Sequence, residues 1–116
     1  MLWIFKKITQ KIRKFRDERD WKQFHNHKDV ALSLVLEASE VLEHFQWKSP
    51  AEVEQHGKDE KAELSDELAD VAIYLFELAD NLGIDISKAI DVKMKKNAMK
   101  YPVEKAKGRH TKYNKL

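Results

Sequence analysis

Acidic residues recur at helical spacing in two separate stretches of the chain. Glu37 and Glu40 are three residues apart, and so are Glu67 and Asp70. Because residues three apart on a helix point the same way, each pair would present two carboxylates on one face. If the two helices pack antiparallel, as a connected pair would, the acidic pairs face one another. Four carboxylates at close range would repel one another strongly unless a divalent cation lay between them.

Oxygen ligands favour Mg²⁺ or Mn²⁺ over zinc, and Mg²⁺ in proteins commonly joins carboxylates to substrate phosphates. The acidic pairs therefore indicate a site for a metal and a phosphate compound. A second interpretation stays open, in which these residues only solvate two exposed helix faces. A di-iron bundle is disfavoured, because it needs a Glu-x-x-His in each of two helices and residues 58–82 contain no histidine.

The elements that hold these residues are all predicted to be helices. Ile4, Ile8, Ile12 and Phe15 follow one face of a first helix, and residues 21–28 break the pattern as a loop would. Only three Gly and two Pro occur in the chain, which disfavours a β protein with many turns. We expect an all-α, four-helix-type bundle of amphipathic helices with one additional short helix.

Capping signals predict the boundaries of the next two helices. Asp29 is a suitable N-cap for a helix that runs to about Phe45. The residues SPAE at 49–52 are typical of a capping box with Pro at the first helical position. The short helix that they open is predicted to end near Gly57.

A long helix is predicted from about residue 58 to residue 82, with Gly83 as its left-handed C-terminal cap. Asp85 or Ser87 is expected to open the last helix. That helix must end before Pro102, because proline disfavours helical geometry in the residue that precedes it.

Charge is divided unevenly along residues 1–116, which we expect to form a single domain. Basic and acidic side chains number nine and three in residues 1–28, four and sixteen in 29–92, and nine and one in 93–116. Residues 103–116 are predicted to be an extended basic tail. The basic ends leave two alternatives open, a helical nucleic-acid-binding module and a membrane-surface protein that uses the first helix.

The chain has no cysteine, which excludes a disulfide framework, a thiolate zinc site and a cysteine nucleophile. Its apolar runs are far shorter than the ~20 residues of a membrane span, and the apolar residues 1–5 are too few for a signal peptide. We therefore expect cytoplasmic residence and no membrane partner. Trp3, Phe5, Trp21 and Trp47 lie outside the apolar stripes, which indicates either a surface for a second copy of the chain or aromatic rings that fold back onto their own bundle.

Three segments have the order and spacing of a known family. They are EASEVLEHFQW at residues 37–47, DELADVAIYL at 66–75 and KMKKNAMKYP at 93–102. In these segments the chain resembles the MazG-like nucleoside triphosphate pyrophosphohydrolases. The segment ERDWKQFH at 18–25, together with the FQW of the first segment, is closest to the dCTP pyrophosphatase branch.

The resemblance implies an all-α enzyme that uses Mg²⁺, or Mn²⁺ in its place, to hydrolyse dCTP or a related nucleoside triphosphate. The products would be the monophosphate and pyrophosphate. It also implies that Glu37, Glu40, Glu67 and Asp70 are catalytic metal ligands. Many members have a further Glu where Leu36 stands here, and the dCTP pyrophosphatase branch also lacks it. The resemblance implies a homodimer or homotetramer with active sites completed between chains, and no specific nucleic-acid partner.

The same branch implies a pocket for the base. Trp21, Trp47 and Tyr74 match its base-pocket positions, whereas Ile12 stands where some relatives have a histidine, so the base preference stays open. His25 could contact the base or a phosphate, or could simply be exposed.

Lys93 and Asn97 share a face of the last helix. Because they precede a Tyr-Pro pair as in the family, the resemblance implies that they contact the outer phosphates of the substrate. Glu43 is a further candidate catalytic residue, which could orient or deprotonate the attacking water or could be solvated. The expected reaction is attack of metal-activated water on the α-phosphorus, with pyrophosphate as the leaving group.

Overall fold

The computed structural model of the chain describes residues 2–116, apart from the side chain of Leu2, and Met1 lies outside the described residues. Every regular element in this range is helical, as the spacing predicts. The helices are α1 (Leu2–Glu18), α2 (His27–Glu43), α3 (Pro50–Asp59), α4 (Lys61–Asn81), α5 (Ile86–Lys100) and α6 (Val103–Ala106), with 3₁₀ turns at Lys22–Phe24 and Tyr113–Lys115. Within residues 2–116, no helix has both the length and the apolar content that a membrane span needs.

The chain forms two compact units, one up to Gly83 and the other from Ile84 to Leu116. The expectation of a single domain over residues 1–116 stays a prediction.

The first unit is built around α4, which packs most extensively against α2 and also contacts α1 and α3. The helices α2 and α4 are antiparallel, as predicted. Ser33 near the start of α2 lies beside Tyr74 in the second half of α4, whereas His44, just after α2, lies beside Glu67 in the first half of α4.

The helix α1 is attached to α4 by aromatic and polar contacts. The rings of Phe5 and Phe76 have centroids 5.5 Å apart. Two nitrogens of Arg13 donate hydrogen bonds to the two carboxylate oxygens of Asp80, at 3.0 and 2.6 Å. Paired contacts of this kind fix the orientation of the guanidinium as well as its position.

The N-cap of α2 corrects one prediction. Asn26, and not Asp29, caps this helix, and its Oδ1 accepts a hydrogen bond from the backbone N–H of Asp29 at 2.9 Å. Asp29 becomes the third residue of the helix, and its side chain accepts from Asn26 Nδ2 at 2.7 Å. Both residue types are good caps, so residue type alone does not decide between them. The helix ends at Glu43 instead of Phe45.

The capping box of α3 is confirmed. The backbone N–H of Glu52 donates to Ser49 Oγ at 3.2 Å, and the backbone N–H of Ser49 donates to Glu52 Oε1 at 3.0 Å. The helix continues past Gly57 to Asp59, because glycine lowers helical stability without breaking the hydrogen-bond pattern. As a consequence, α4 begins at Lys61, three residues later than predicted.

The ends of α4 and α5 follow the sequence signals. Gly83 has φ +69°, the left-handed conformation expected of a C-terminal cap. Asp85 caps α5 through a 3.1 Å hydrogen bond from the backbone N–H of Lys88. The helix stops at Lys100, before Pro102, as predicted.

The prediction of an extended tail is wrong in part. Residues 103–116 contain α6 and a 3₁₀ turn. The ring of Tyr113 meets that of Tyr101 edge-on at 6.1 Å, and Lys100 Nζ lies 4.8 Å from the Tyr113 ring centroid. Contacts between aromatic rings and with a cation thus return the end of the chain to the C-terminus of α5.

Candidate active site

Four carboxylates are neighbours across the α2–α4 pair. The charges of Glu40, Asp70 and Glu67 all act on Glu37, so both predicted acidic pairs contribute to one cluster. Their spacing explains the arrangement, because each pair occupies one turn of its own helix. We name Glu37, Glu40, Glu67 and Asp70 the carboxylate cluster.

The side chain of Glu37 is the most perturbed member of this cluster. Burial raises the pKa of its carboxyl above the ordinary value, and the hydrogen bond with Glu40 raises it further. The charges of Glu40, Asp70 and Glu67 act in the same direction. Its Oε2 is buried without a hydrogen-bond partner. Such an atom is costly in a folded protein, and a bound cation would remove both the repulsion and the missing contact.

Tyr74 lies one turn beyond Asp70 on α4 and continues the polar stripe. Burial raises the pKa of its phenol, and the negative charge of Glu37 raises it further, while a hydrogen bond with Ser33 has the opposite effect. The phenol therefore stays protonated near neutral pH and remains a hydrogen-bond donor.

Two histidines lie at the other end of the carboxylate cluster. His44 Nε2 is 2.5 Å from Glu67 Oε2, a close polar contact that lacks hydrogen-bond alignment, since this buried oxygen has no hydrogen-bond partner. On the opposite side of the ring, His44 Nδ1 is 2.7 Å from Nε2 of His56 in α3. These contacts join α3, the end of α2 and α4.

The donor set of the carboxylate cluster fits a hard divalent cation. Its ligands would all be oxygens, which Mg²⁺ prefers, and Glu37 Oε2 is buried without a hydrogen bond. The side chains of the cluster are not in coordinating positions in this structure. Within residues 2–116, no group of three or more His, Asp or Glu side chains has the arrangement of a metal centre. The residues that could hold the cation are the four members of the cluster.

A cavity of about 350 Å³ adjoins the carboxylate cluster. Three of the predicted substrate-binding residues, Trp21, His25 and Tyr74, line this cavity together with the predicted metal ligand Asp70. The full lining is Lys11, Ile12, Phe15, Arg16, Trp21, His25, Asp70, Ile73, Tyr74 and Glu77. Its wall is mainly aromatic and aliphatic, and one of its acidic residues belongs to the carboxylate cluster.

A buried ion group forms part of the cavity wall. Arg16 and Glu77 are each only 3% exposed, and Arg16 Nη1 lies 3.8 Å from Glu77 Oε2. His25 Nδ1 is 3.0 and 2.7 Å from the two oxygens of Glu77. Arg16 also donates to Asn81 at 3.0 Å and to Asp17 at 2.9 Å. His25 is therefore half-buried and engaged, and the interpretation of an exposed loop histidine is wrong.

Trp47 and Glu43 belong neither to the lining of this cavity nor to the carboxylate cluster. Trp47 is 92% exposed and has φ +65°, a left-handed conformation that is a genuine outlier for a bulky residue. Glu43, the last residue of α2, is also exposed. In this single chain both side chains face outward.

Lys93 and Asn97 lie one helical turn apart on α5, in the second unit. Lys93 is exposed and Asn97 is half-buried. With Lys88 and Lys96, Lys93 lines an open cavity of about 520 Å³ in that unit. Their contact with substrate phosphates stays a prediction.

Sequence reasoning missed four residues of this region, namely Arg16, Glu77, His44 and His56. Arg16 could have been found as a charge on the apolar face of its helix, four residues after Ile12, and Glu77 as the next residue of the polar stripe that holds Asp70 and Tyr74. For His44 a signal existed, because it continues the polar stripe of Glu37 and Glu40 by four residues. His56 had no such signal, since its contact depends on the turn between α2 and α3.

Comparison with known proteins gives one consistent picture. A model of the MazG-like family matches residues 32–116. The chain is 43% identical over 104 residues to dCTP pyrophosphatase 1 of Rattus norvegicus, an alignment that covers 88% of this chain and 61% of that protein. It is 41% identical over 104 residues to dCTP pyrophosphatase 1 of Homo sapiens, with the same coverage. The chain thus spans about 61% of the length of these relatives.

The fold has a solved counterpart. The crystal structure of a pyrophosphatase from Archaeoglobus fulgidus superposes with a TM-score of 0.80 at 40% sequence identity, and the match covers 84% of this chain and 91% of that chain. The all-helical architecture is therefore that of this pyrophosphatase.

Proposed function

The chain belongs to the MazG-like family, and we propose that it is a nucleoside triphosphate pyrophosphohydrolase that converts dCTP or a related dNTP to the monophosphate and pyrophosphate. Its relatives in rat and human carry the name dCTP pyrophosphatase 1. The proposal takes that activity as the starting point and assigns roles to the residues of this chain.

One observation carries the proposal: Asp70 belongs both to the cavity and to the carboxylate cluster. A nucleoside whose base entered the cavity between Trp21 and Tyr74 would have its 5′ side near acidic groups. Negative phosphates are held beside carboxylates only through a cation, as in other Mg²⁺ sites for phosphate compounds. The neighbourhood of an aromatic cavity and four carboxylates thus suits a nucleotide better than a neutral ligand.

The carboxylate cluster would hold Mg²⁺, with Glu37, Glu40, Glu67 and Asp70 as ligands. When bound, the metal supplies charge neutralisation of the phosphate oxygens and a lower pKa for water. The protein residues would orient the α-phosphate, since phosphoryl chemistry depends mainly on positioning and charge stabilisation. Glu43 remains a candidate for orienting or deprotonating the attacking water.

The wall of the cavity suits a base that carries an exocyclic amino group. Glu77 is buried and offers carboxylate oxygens as acceptors. An acidic side chain accepts from the exocyclic amine of cytosine, whereas it would meet the carbonyl oxygen of uracil or thymine with repulsion between acceptors. Trp21 supplies an aromatic ring for stacking. These features favour dCTP over dUTP and dTTP.

Residues outside the cavity fit a site that a second copy completes. Trp47 would approach the base from a neighbouring chain, while Lys93 and Asn97 would hold the outer phosphates. The surface of the first unit supports association as a homodimer or homotetramer. Apolar side chains of α2 and α4 that are more than half exposed are Leu32, Val35, Leu36, Leu42 and Leu68. Exposed apolar residues in such number are typical of an interface.

The activity is tested with a panel of NTPs and dNTPs in Mg²⁺, with monophosphate, pyrophosphate and phosphate measured separately. We expect release of pyrophosphate, with dCTP or a related dNTP as the best substrate. Glu40→Gln and Asp70→Asn should each abolish turnover and keep the helical circular dichroism spectrum. Glu54→Gln, which changes an exposed carboxylate of α3, is the matched control and should keep full activity. Turnover at the wild-type rate in either cluster variant removes that residue from the site.

A further inference from the structure

The contact between His44 and Glu67 has no part in the proposed chemistry described so far. It joins one oxygen of a carboxylate in the cluster to an imidazole, with 2.5 Å between Nε2 and Oε2. The exposed fractions of the two side chains are only 11% and 25%, so water competes little for this contact. Because Oε2 makes this contact, the other carboxylate oxygen of Glu67 is left for a ligand.

The ring of His44 is in turn held from behind by His56. The 2.7 Å separation of His44 Nδ1 and His56 Nε2 is that of a hydrogen bond. If Nε2–H of His56 donates to Nδ1 of His44, then His44 carries its own hydrogen on Nε2, which faces Glu67. The two imidazoles and the carboxylate therefore form a linear series, His56–His44–Glu67.

Local sequence explains why His56 reaches this position. The capping box of Ser49 and Glu52 starts α3 at a fixed residue, and seven residues after Ser49, two helical turns, place His56 beside the end of α2. The ring of Phe45 meets the ring of His56 edge-on at 5.8 Å. The short helix α3 thus holds the imidazole of His56 against that of His44.

We infer that His44 is a positioning residue, which holds Glu67 in the orientation that binds the metal, and that His56 holds His44. The inference rests on the proposed function, because it requires Glu67 to be a metal ligand. Partners behind a metal ligand fix its orientation, and their removal typically weakens metal binding about 10–100-fold. A packing role alone would predict instead that an apolar side chain of similar size could replace His44.

The test is calorimetric titration of the apoprotein with Mn²⁺ alone. Wild type, His44→Leu, His44→Gln and His56→Leu are compared, with circular dichroism to verify the fold. We expect His44→Leu to raise the Mn²⁺ dissociation constant about 10–100-fold, because leucine fills the space without a polar contact to Glu67. His44→Gln keeps a polar group at a similar reach and should recover most of the affinity. His56→Leu should weaken binding less than His44→Leu.

Two controls separate the possible outcomes. His27→Leu replaces an exposed histidine at the opposite end of α2 and should leave Mn²⁺ affinity unchanged. Glu67→Gln should weaken binding at least as much as His44→Leu. If Glu67→Gln weakens binding but His44→Leu does not, the positioning role is wrong and the proposed metal site stands. If Glu67→Gln binds Mn²⁺ as wild type does, or wild type binds none, the metal site and this inference both fall.

Discussion

The pair of Arg16 and Glu77 gives the sharpest prediction for stability, because the same helix offers a matched control. Glu77→Gln removes a carboxylate that is 3% exposed and leaves Arg16, also 3% exposed, in the interior. Asp80→Asn removes a carboxylate one turn later, whose partner Arg13 has a side chain 48% exposed. Both changes replace an acid by its amide and break one contact between α1 and α4.

The expected magnitudes differ because burial differs. Loss of one partner from a buried ion pair typically costs 3–5 kcal/mol, since the remaining charge is left without compensation. Asp17 still contacts Arg16 but is half exposed, so we expect about 3 kcal/mol for Glu77→Gln. An exposed pair contributes about 0.2–1 kcal/mol, and we expect at most about 1 kcal/mol for Asp80→Asn.

Urea unfolding followed by circular dichroism measures both variants, at one protein concentration because association shifts apparent stability. With an m value of roughly 1.5 kcal/mol/M, about 3 kcal/mol lowers the midpoint by about 2 M. The control should shift by less than about 0.7 M. Equal small shifts for the two variants would refute the argument that the buried ion group stabilises the attachment of α1.

The remaining predictions address the cap, the pH dependence, the metal and the base. Ser49→Ala should lower the free energy of unfolding by about 1 kcal/mol, measured by urea unfolding, and a loss below 0.3 kcal/mol would contradict the capping role. The backbone hydrogen bond from Ser49 holds the pKa of Glu52 below its usual range. The contribution of Glu52 is therefore present above about pH 4.3 and is lost as the pH falls through the lower folded-state pKa. Wild type should lose more stability between pH 5 and pH 3 than Glu52→Gln does, and identical pH profiles would exclude this contribution. EDTA should abolish pyrophosphate release and excess Mg²⁺ should restore it, whereas activity that persists in EDTA would exclude the metal. Glu77→Gln should lower the ratio of kcat/KM for dCTP to that for dUTP, and an unchanged ratio would leave Glu77 a structural role only.

The helices could be predicted from local patterns to within a few residues. Apolar periodicity gave the all-helical fold, and the signals at Ser49, Gly83 and Asp85 gave three boundaries correctly. The error at Asp29 arose because Asn26 is an equally good cap three residues earlier. The tail was misjudged because its helical turn and the contact between Tyr101 and Tyr113 depend on how the chain returns, which polar composition does not reveal.

The carboxylate cluster was foreseeable for a different reason. Each Glu or Asp pair is local in sequence, and antiparallel packing of neighbouring helices brings two such pairs together. The ion group of Arg16 and Glu77 and the series His56–His44–Glu67 join residues that are distant in sequence. Their partners depend on helix rotation and on loop geometry, which single-residue spacing does not determine.

The most direct test of the proposed reaction is hydrolysis of dCTP in H₂¹⁸O with Mg²⁺, followed by mass spectrometry of both products. Attack of water on the α-phosphorus predicts one ¹⁸O atom in dCMP and none in pyrophosphate. Label in pyrophosphate, release of single phosphate, or no turnover of dCTP or any other dNTP would contradict the account.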